Sequence, residues 1–130
     1  MKYLSNYTED ATTALLSQQG AFFAFSTEQF NEAKAPGPVQ YVSLYAGMIC
    51  PKVNAPALLS GLSDITDRGI AADIADNGLP AIIWRELGNH EADITYSIED
   101  TMRALDGYPD ITADMVQAVF NKFIKQKFNW

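Results

Sequence analysis

Residues 39–50, with the sequence VQYVSLYAGMIC, decide the fold class, because they form the strongest strand prediction in a chain whose other patterns are mostly helical. Valine, tyrosine and isoleucine are enriched in strands, and Gly47 indicates a bulge or bend within this one. Residues 21–25, with the sequence AFFAF, predict a second strand that is short and buried. We expect the two strands to pair antiparallel in a small sheet of two or three strands.

Helix signals fill most of the remaining chain. The predicted helices begin at or near Thr8, Ser26, Asn54, Pro80, Ser97 and Thr112, which are residue types that favour a helix start. Gly69 and Gly88, inside two of these helices, are each compatible with a break as well as with a continuous helix. If the helix that contains Gly88 is continuous, Ile83, Leu87 and Ile94 share an apolar stripe with His90 on or beside it. The predicted fold class is therefore α+β, mostly helical, with residues 1–130 in a single globular domain.

The predicted core lies between the sheet and the helices and is rich in aromatic side chains. Its predicted members are Phe22, Phe23, Phe25, Tyr41, Tyr45 and Trp84. Three of them, Tyr41, Tyr45 and Trp84, could instead line a ligand pocket, because pockets are mostly apolar with a few polar groups. Cys50 is the single cysteine, so it has no internal disulfide partner. We expect its thiol to be inert and partly buried.

The charge of the chain is uneven. Residues 1–63 carry four acids and three bases, residues 64–114 carry twelve acids and three arginines, and residues 115–130 carry three lysines, which gives the net charge of −7. An acidic chain does not suit direct binding of nucleic acid, whose phosphates need clustered lysine and arginine. A protein partner with a basic surface fits this charge better.

Four aspartates of the acidic middle, Asp64, Asp67, Asp73 and Asp76, are predicted to point towards water from one helix. They are candidates for a surface that docks a basic protein. A solvated face without a binding role and an imitation of DNA phosphates are the two alternatives. Trp130, at the end of the chain, is expected either to be an exposed aromatic anchor at an interface or to fold back on the domain.

Residues 79–93, with the sequence LPAIIWRELGNHEAD, hold the only histidine and the densest set of chemical groups. Glu86 and His90 are four residues apart and share a face on a continuous helix, with Glu91 beside them. Such a set could bind a divalent metal or act in acid–base catalysis. The structural alternative places His90 at the edge of the core, hydrogen-bonded to Glu86, and pairs Arg85 with a neighbouring acid.

Motifs indicate no further chemistry. The sequence has no P-loop, dinucleotide fingerprint or GxSxG elbow, and a metal motif would need a second histidine or cysteine. We therefore assign no catalytic residue, metal ligand or cofactor. No apolar run reaches the roughly 18 residues of a membrane helix, and the N-terminus has no apolar secretion signal. We expect no membrane association and a cytoplasmic location.

Four segments carry a resemblance to a known group of proteins. They are residues 22–26 (FFAFS), 41–51 (YVSLYAGMICP), 85–95 (RELGNHEADIT) and 98–100 (IED). The chain resembles a small uncharacterised family of acidic proteins met mostly in bacteriophage and prophage genomes. The resemblance implies an accessory protein that binds host proteins, including inhibition of a defence nuclease, and it implies no particular functional residue.

Three functional hypotheses follow, in order of preference. The first is a small acidic binding protein that docks a host or phage protein with a basic surface. The second is an enzyme or metal protein centred on Glu86, His90 and Glu91. The third is a self-assembling structural protein in which Trp130 makes the contact, so that a homo-oligomer is also compatible with the sequence.

Overall fold

The computed structural model describes residues 2–128. In chain order its elements are α1 Leu4–Gln18, β1 Phe22–Phe23, α2 Thr27–Ala33, β2 Tyr41–Ser43, β3 Met48–Pro51, α3 Ala55–Asn77, α4 Leu79–Asn89, α5 Ala92–Thr95, α6 Glu99–Ala104 and α7 Ala113–Phe128, with a 3-10 turn at Lys52–Asn54. The three strands form one antiparallel sheet. A mostly helical α+β fold with a small antiparallel sheet confirms the predicted fold class.

The chain divides into two compact units. The sheet unit comprises residues 5–68, and the helical unit comprises residues 69–128 together with residues 2–4. Helix α3 is continuous over Ala55–Asn77, so Gly69 does not interrupt it. That residues 1–130 form a single domain stays a prediction, which one cooperative unfolding transition of the whole chain would support.

In the sheet unit, the stretch predicted as one strand over residues 39–50 is instead a hairpin of β2 and β3. Met48 N donates a hydrogen bond to Tyr45 O at 2.9 Å, which closes a tight turn. The two central residues of this turn, Ala46 and Gly47, have φ values of 51° and 79°. Positive φ at both positions is the signature of a type I′ turn, so Gly47 reverses the chain rather than forming a bulge.

The sheet has the order β1-β3-β2, with β3 in the centre, and both of its faces are packed. On one face, Phe22, Phe30 of α2 and Tyr41 form an aromatic triad with ring centroids 5.4–6.1 Å apart. On the other face, Met48 and Cys50 are buried with Leu58 of α3. The Cys50 thiol is fully buried, and burial raises its pKa, which suits an inert cysteine.

Three aromatic residues predicted for the core, Phe23, Phe25 and Tyr45, are in fact exposed. Phe25 is 74 % exposed, and its ring lies against Gly47, where an added Cβ would come within 2.3 Å of Phe25 Cε1. The reason is their position, because Phe23 lies on the short edge strand β1, Phe25 follows that strand, and Tyr45 begins the β2–β3 turn.

The core of the helical unit forms mainly between α4 and α7. Its buried residues are Ile70, Ile82, Ile83, Leu87, Ala92, Leu105, Tyr108, Val116, Phe120, Phe123 and Ile124. Trp84 packs edge-on against Phe123 with ring centroids 5.1 Å apart, as expected for a core aromatic. Within residues 2–128, no helix combines the length and the apolar character that crossing a bilayer requires.

Helix α4 ends at Asn89, so residues 79–94 are not one continuous helix. Glu91 follows with a left-handed backbone, φ 51°, and the short helix α5 begins after it. Because Glu91 ends the helical pattern, Ile94 does not lie on the apolar stripe that a continuous helix would give it, and its side chain is 74 % exposed. The predicted position of Ile94 in the core is therefore wrong.

Candidate functional site

Asp73 lies at the centre of a buried polar cluster in the helical unit. The prediction that it points towards water is wrong, because its side chain is fully buried. It lies one helical turn after Ile70, so it shares the core-facing side of α3. Its two carboxylate oxygens accept hydrogen bonds from Arg85 Nη1 at 2.9 Å and Arg85 Nη2 at 3.0 Å. This two-pronged pair accounts for the burial of a charged group.

Two more donors complete the shell around Asp73. The Tyr108 hydroxyl donates to Asp73 Oδ2, and Asn77 Nδ2 donates to Asp73 Oδ1 at 2.8 Å. Tyr108 could not be read from the sequence, because it lies 35 residues away, whereas Asn77 lies four residues after Asp73, a spacing that brings the two side chains together on α3. Throughout the described part of the chain, every buried side-chain nitrogen and oxygen has a hydrogen-bond partner.

Arg85 joins the cluster to two further parts of the helical unit. Its Nε donates to Glu86 Oε1 at 2.9 Å, and its Nη1 donates to the backbone oxygen of Lys2 at 3.0 Å. The Tyr3 ring lies 5.8 Å from the guanidinium carbon, within the range of a cation–π contact. The predicted pairing of Arg85 with an acid is thus confirmed, and Arg85 also anchors the start of the chain.

The electrostatics of the cluster keep each group in one protonation state. Burial alone raises the pKa of Asp73, but the hydrogen bonds and charge of its partners outweigh burial and hold the pKa below its usual value. Burial, followed by the hydrogen bond to Asp73, raises the pKa of Tyr108 to about 12. Burial lowers the pKa of Arg85, whereas its bonds to Asp73 and Tyr108 raise it to a higher net value. At neutral pH the cluster therefore holds an ionised carboxylate, a charged guanidinium and a neutral phenol.

Glu86 and His90, the centre of the enzyme hypothesis, do come together. His90 Nε2 lies 3.5 Å from Glu86 Oε2, which Asn89 Nδ2 also approaches at 3.5 Å. The other oxygen, Oε1, accepts from Arg85. Glu86 is buried and His90 half-buried, which is the position that the structural alternative predicts for them. Glu86 thus lies between Arg85 on one side and Asn89 and His90 on the other, with its short hydrogen bond on the Arg85 side.

Glu91 does not join this pair. Its side chain is exposed and makes no ion pair with another side chain of residues 2–128. Among those residues there is also no group of three histidine, cysteine, aspartate or glutamate side chains that could hold a metal ion. The arrangement of Glu86 and His90 therefore offers hydrogen-bond bridging rather than a ligand set.

A cleft of about 410 Å³ opens beside α4 and α7 in the helical unit. Its lining includes Tyr3, Trp84, Gly88, Glu91, Phe123 and Lys127. Gly88 has an ordinary helical backbone, and nothing lies within 4 Å of a Cβ built on it, so neither strain nor internal packing explains the glycine. Lys127 Nζ lies 5.6 Å from the centre of the Phe123 ring.

Next to this cleft lie residues 91–96, which we call the α5 knuckle; Ala92 is buried and Asp93 half-buried, and the other four residues are exposed. Its residues Ile94 and Tyr96 are 74 % and 65 % exposed. The residues flanking α5, Glu91 and Tyr96, both have left-handed backbones, with φ values of 51° and 55°. The Tyr96 ring contacts Phe120 of α7 with centroids 5.4 Å apart. Sequence reasoning missed the knuckle because glutamate and tyrosine give no signal for a left-handed backbone.

The acidic residues are distributed over both units. Asp64 and Asp67 are exposed in the sheet unit, and Asp76 is exposed in the helical unit. The stretch 99–114, which we call the acidic segment, adds five exposed carboxylates, from Glu99, Asp100, Asp106, Asp110 and Asp114. Its single base, Arg103, pairs with Asp100 at 2.8 Å and Glu99 at 3.9 Å. Trp130 lies outside the described residues.

Comparison with known proteins identifies a family for this chain. A model of DUF7659, a family of unknown function, matches residues 4–126. No curated protein matches the chain, and no solved structure does either.

Proposed function

The chain belongs to the DUF7659 family, and we propose that it is a small acidic protein that acts by binding another protein through its helical unit. One observation carries this proposal. Two large apolar side chains two residues apart on the α5 knuckle, Ile94 and Tyr96, are exposed. Exposed aromatic and aliphatic groups on an ordered element are typical of the anchors of protein interfaces.

The backbone of the knuckle supports this proposal. A left-handed conformation costs a residue with a side chain roughly 1–2 kcal/mol, and the knuckle holds two such residues, Glu91 and Tyr96. Continuing α4 as a regular helix would avoid this cost. Strain of this kind is characteristic of functional surfaces, because stability alone does not favour it.

The acidic segment suggests the chemistry of the partner. It begins three residues after Tyr96, and only one arginine accompanies its five carboxylates. We propose that the partner has an apolar pocket for the knuckle and a basic rim that faces the acidic segment. Such an interface would be sensitive to salt, because exposed charges are screened over roughly 10 Å at moderate ionic strength.

The residues predicted for binding have different parts in this proposal. Glu91 is exposed in the helical unit, where a basic partner can contact it, and Asp76 is exposed in the same unit. Asp73, Arg85 and Glu86 are buried, so we assign them a structural role: they fix the position of α4, and the knuckle follows the end of that helix in the chain.

The resemblance to phage and prophage proteins guides the choice of partner. On this basis we place the partner among the host and phage proteins of the bacterial cytoplasm, and defence nucleases are the first class to assay. Inhibition of such an enzyme would require no catalytic residue in this chain.

The enzyme hypothesis centred on Glu86, His90 and Glu91 has less support. Glu86 is buried and its Oε1 accepts a hydrogen bond from Arg85 at 2.9 Å, and within residues 2–128 no group of three metal-binding side chains forms. The self-assembly hypothesis rests on Trp130, so its test is sedimentation of the intact chain against one that lacks Phe128–Trp130. An unchanged mass would contradict self-assembly through this end of the chain.

The test of the binding proposal is affinity capture from a bacterial lysate at low and at high salt, with the bound proteins identified by mass spectrometry. The bait proteins are the unaltered chain, Ile94→Ser, and Val53→Ser as a matched control, since Val53 is an 87 % exposed apolar residue of the sheet unit. We expect one stoichiometric protein on the unaltered chain and on Val53→Ser, little on Ile94→Ser, and elution as salt rises. Equal capture by all three baits would contradict binding through the knuckle.

A further inference from the structure

The Asn77–Gly78 pair at the end of α3 adjoins the buried cluster. In flexible chains Asn–Gly is the dipeptide that deamidates most readily, because glycine lets its own backbone nitrogen approach the asparagine side chain without steric hindrance. The nitrogen attacks the side-chain carbonyl carbon, ammonia leaves, and a cyclic imide forms. Water then opens the imide to aspartate or isoaspartate. The reaction needs only water and a base to remove the amide proton.

Both reacting groups are held in the folded protein. Asn77 Nδ2, which belongs to the leaving ammonia, donates to Asp73 Oδ1 at 2.8 Å. Gly78 N, the attacking nitrogen, donates its proton to Ile74 O at 2.9 Å. Attack would require breaking the second bond and rotating a side chain that the first bond anchors.

The product would not fit this site. Aspartate at position 77 would place a second carboxylate where Asn77 now donates to Asp73, and it would remove one of the donors that stabilise the Asp73 charge. Two carboxylates at hydrogen-bond distance repel each other or must share a proton. Isoaspartate would in addition lengthen the backbone between α3 and α4, which are separated by Gly78 alone.

We propose that Asn77 is a spontaneous deamidation site that its hydrogen bond to Asp73 keeps unreactive in the folded protein, and that conversion of this residue disrupts the Asp73–Arg85 cluster. The site takes no partner other than water. Deamidation would then occur mainly in molecules that have already opened locally, and it would make the opening irreversible.

The first experiment measures conversion at position 77 by peptide mapping after incubation of the full chain in mildly alkaline buffer, with and without denaturant. We expect conversion of the folded chain to be at least about tenfold slower than that of the denatured chain, in line with protection by a closed structure. Asn54 and Asn89, which precede bulkier residues, serve as internal controls and should convert slowly in denaturant. Equal rates at position 77 in both conditions would overturn the proposal.

The second experiment tests the link to the cluster. Tyr108→Phe removes one hydrogen bond to Asp73 and keeps the ring in the core, so we expect faster conversion of folded Tyr108→Phe than of the unaltered chain. Asn77→Asp imitates the product and should lower the midpoint of thermal unfolding, whereas Asn77→Gln, which keeps an amide donor and deamidates slowly, should lower it less. An Asn77→Asp protein as stable as the unaltered chain would overturn the second part of the proposal.

Discussion

Arg85 of α4 and Asp73 of α3 form a two-pronged ion pair inside the helical unit, with nitrogen–oxygen distances of 2.9 and 3.0 Å. Both side chains are almost completely withdrawn from water. A pair of this kind makes each partner dependent on the other, because removal of one leaves an uncompensated charge in the interior.

Removal of one partner is expected to destabilise the protein strongly. Arg85→Met keeps the length of the side chain but leaves Asp73 unpaired, and we expect a loss of about 3–5 kcal/mol in the free energy of unfolding. Arg103→Met is the matched control, because Arg103 makes ion pairs with its side chain 71 % exposed. We expect the control to lose at most about 1 kcal/mol. Similar losses in denaturant titrations of the two variants would contradict the assigned role of Arg85.

Alkaline pH is expected to weaken the fold through Tyr108. The pKa of Tyr108 is raised from 10.0 to about 12 in the folded protein, so the folded state holds its proton more tightly than the unfolded state. The resulting stabilisation is fully present below pH 10 and is lost as the pH rises towards about 12. We therefore expect the free energy of unfolding to fall over this interval.

Tyr108→Phe is the control for this pH dependence. Phenylalanine has no proton to lose, so the variant should begin with a lower free energy of unfolding but show a shallower decline in alkaline solution. Denaturant titrations at a series of pH values measure both slopes. Parallel declines in the two proteins would show that another group is responsible.

The turn of the β2–β3 hairpin offers a stabilising substitution. Ala46 has φ 51° at a position of a type I′ turn where asparagine and glycine are favoured. We expect Ala46→Asn to raise the free energy of unfolding by about 1 kcal/mol, because asparagine adopts this backbone more readily. Gly47→Ala is the opposing variant and should destabilise, because alanine is disfavoured at the φ of 79° that Gly47 adopts, and its Cβ would also displace the Phe25 ring. A lower unfolding midpoint for Ala46→Asn would argue against the type I′ turn.

The sequence predicted those features of the fold that depend on neighbouring residues. The Ser26 hydroxyl accepts from Gln29 N at 3.1 Å and the Thr112 hydroxyl accepts from Met115 N at 3.2 Å, as the capping signals of α2 and α7 indicate. The contact of His90 with Glu86 follows from their spacing of four residues. In each case both partners lie within one helical turn.

The features that the sequence did not predict depend on distant contacts or on backbone conformation. Asp73 has the polarity of a surface residue, and only Arg85 and Tyr108, brought together by folding, make its burial favourable. Ile94 fits an apolar stripe that exists only if α4 continues, and the left-handed backbone of Glu91 ends that helix. Helical periodicity carries no information on where such a residue will end the pattern.

The central claim is that the α5 knuckle binds a protein partner, and Tyr96→Asn tests it most directly. Asparagine is favoured in the left-handed conformation that Tyr96 adopts, and this offsets part of the loss of the ring contact with Phe120. We therefore expect the variant to stay folded, with a modestly lower unfolding temperature than the unaltered chain. It lacks the exposed ring, however, and should therefore capture no partner from a bacterial lysate, whereas the unaltered chain and Val53→Ser capture one stoichiometric protein. If the stable Tyr96→Asn protein captures the same partner in the same amount, or if the unaltered chain captures none, the account of the knuckle is wrong.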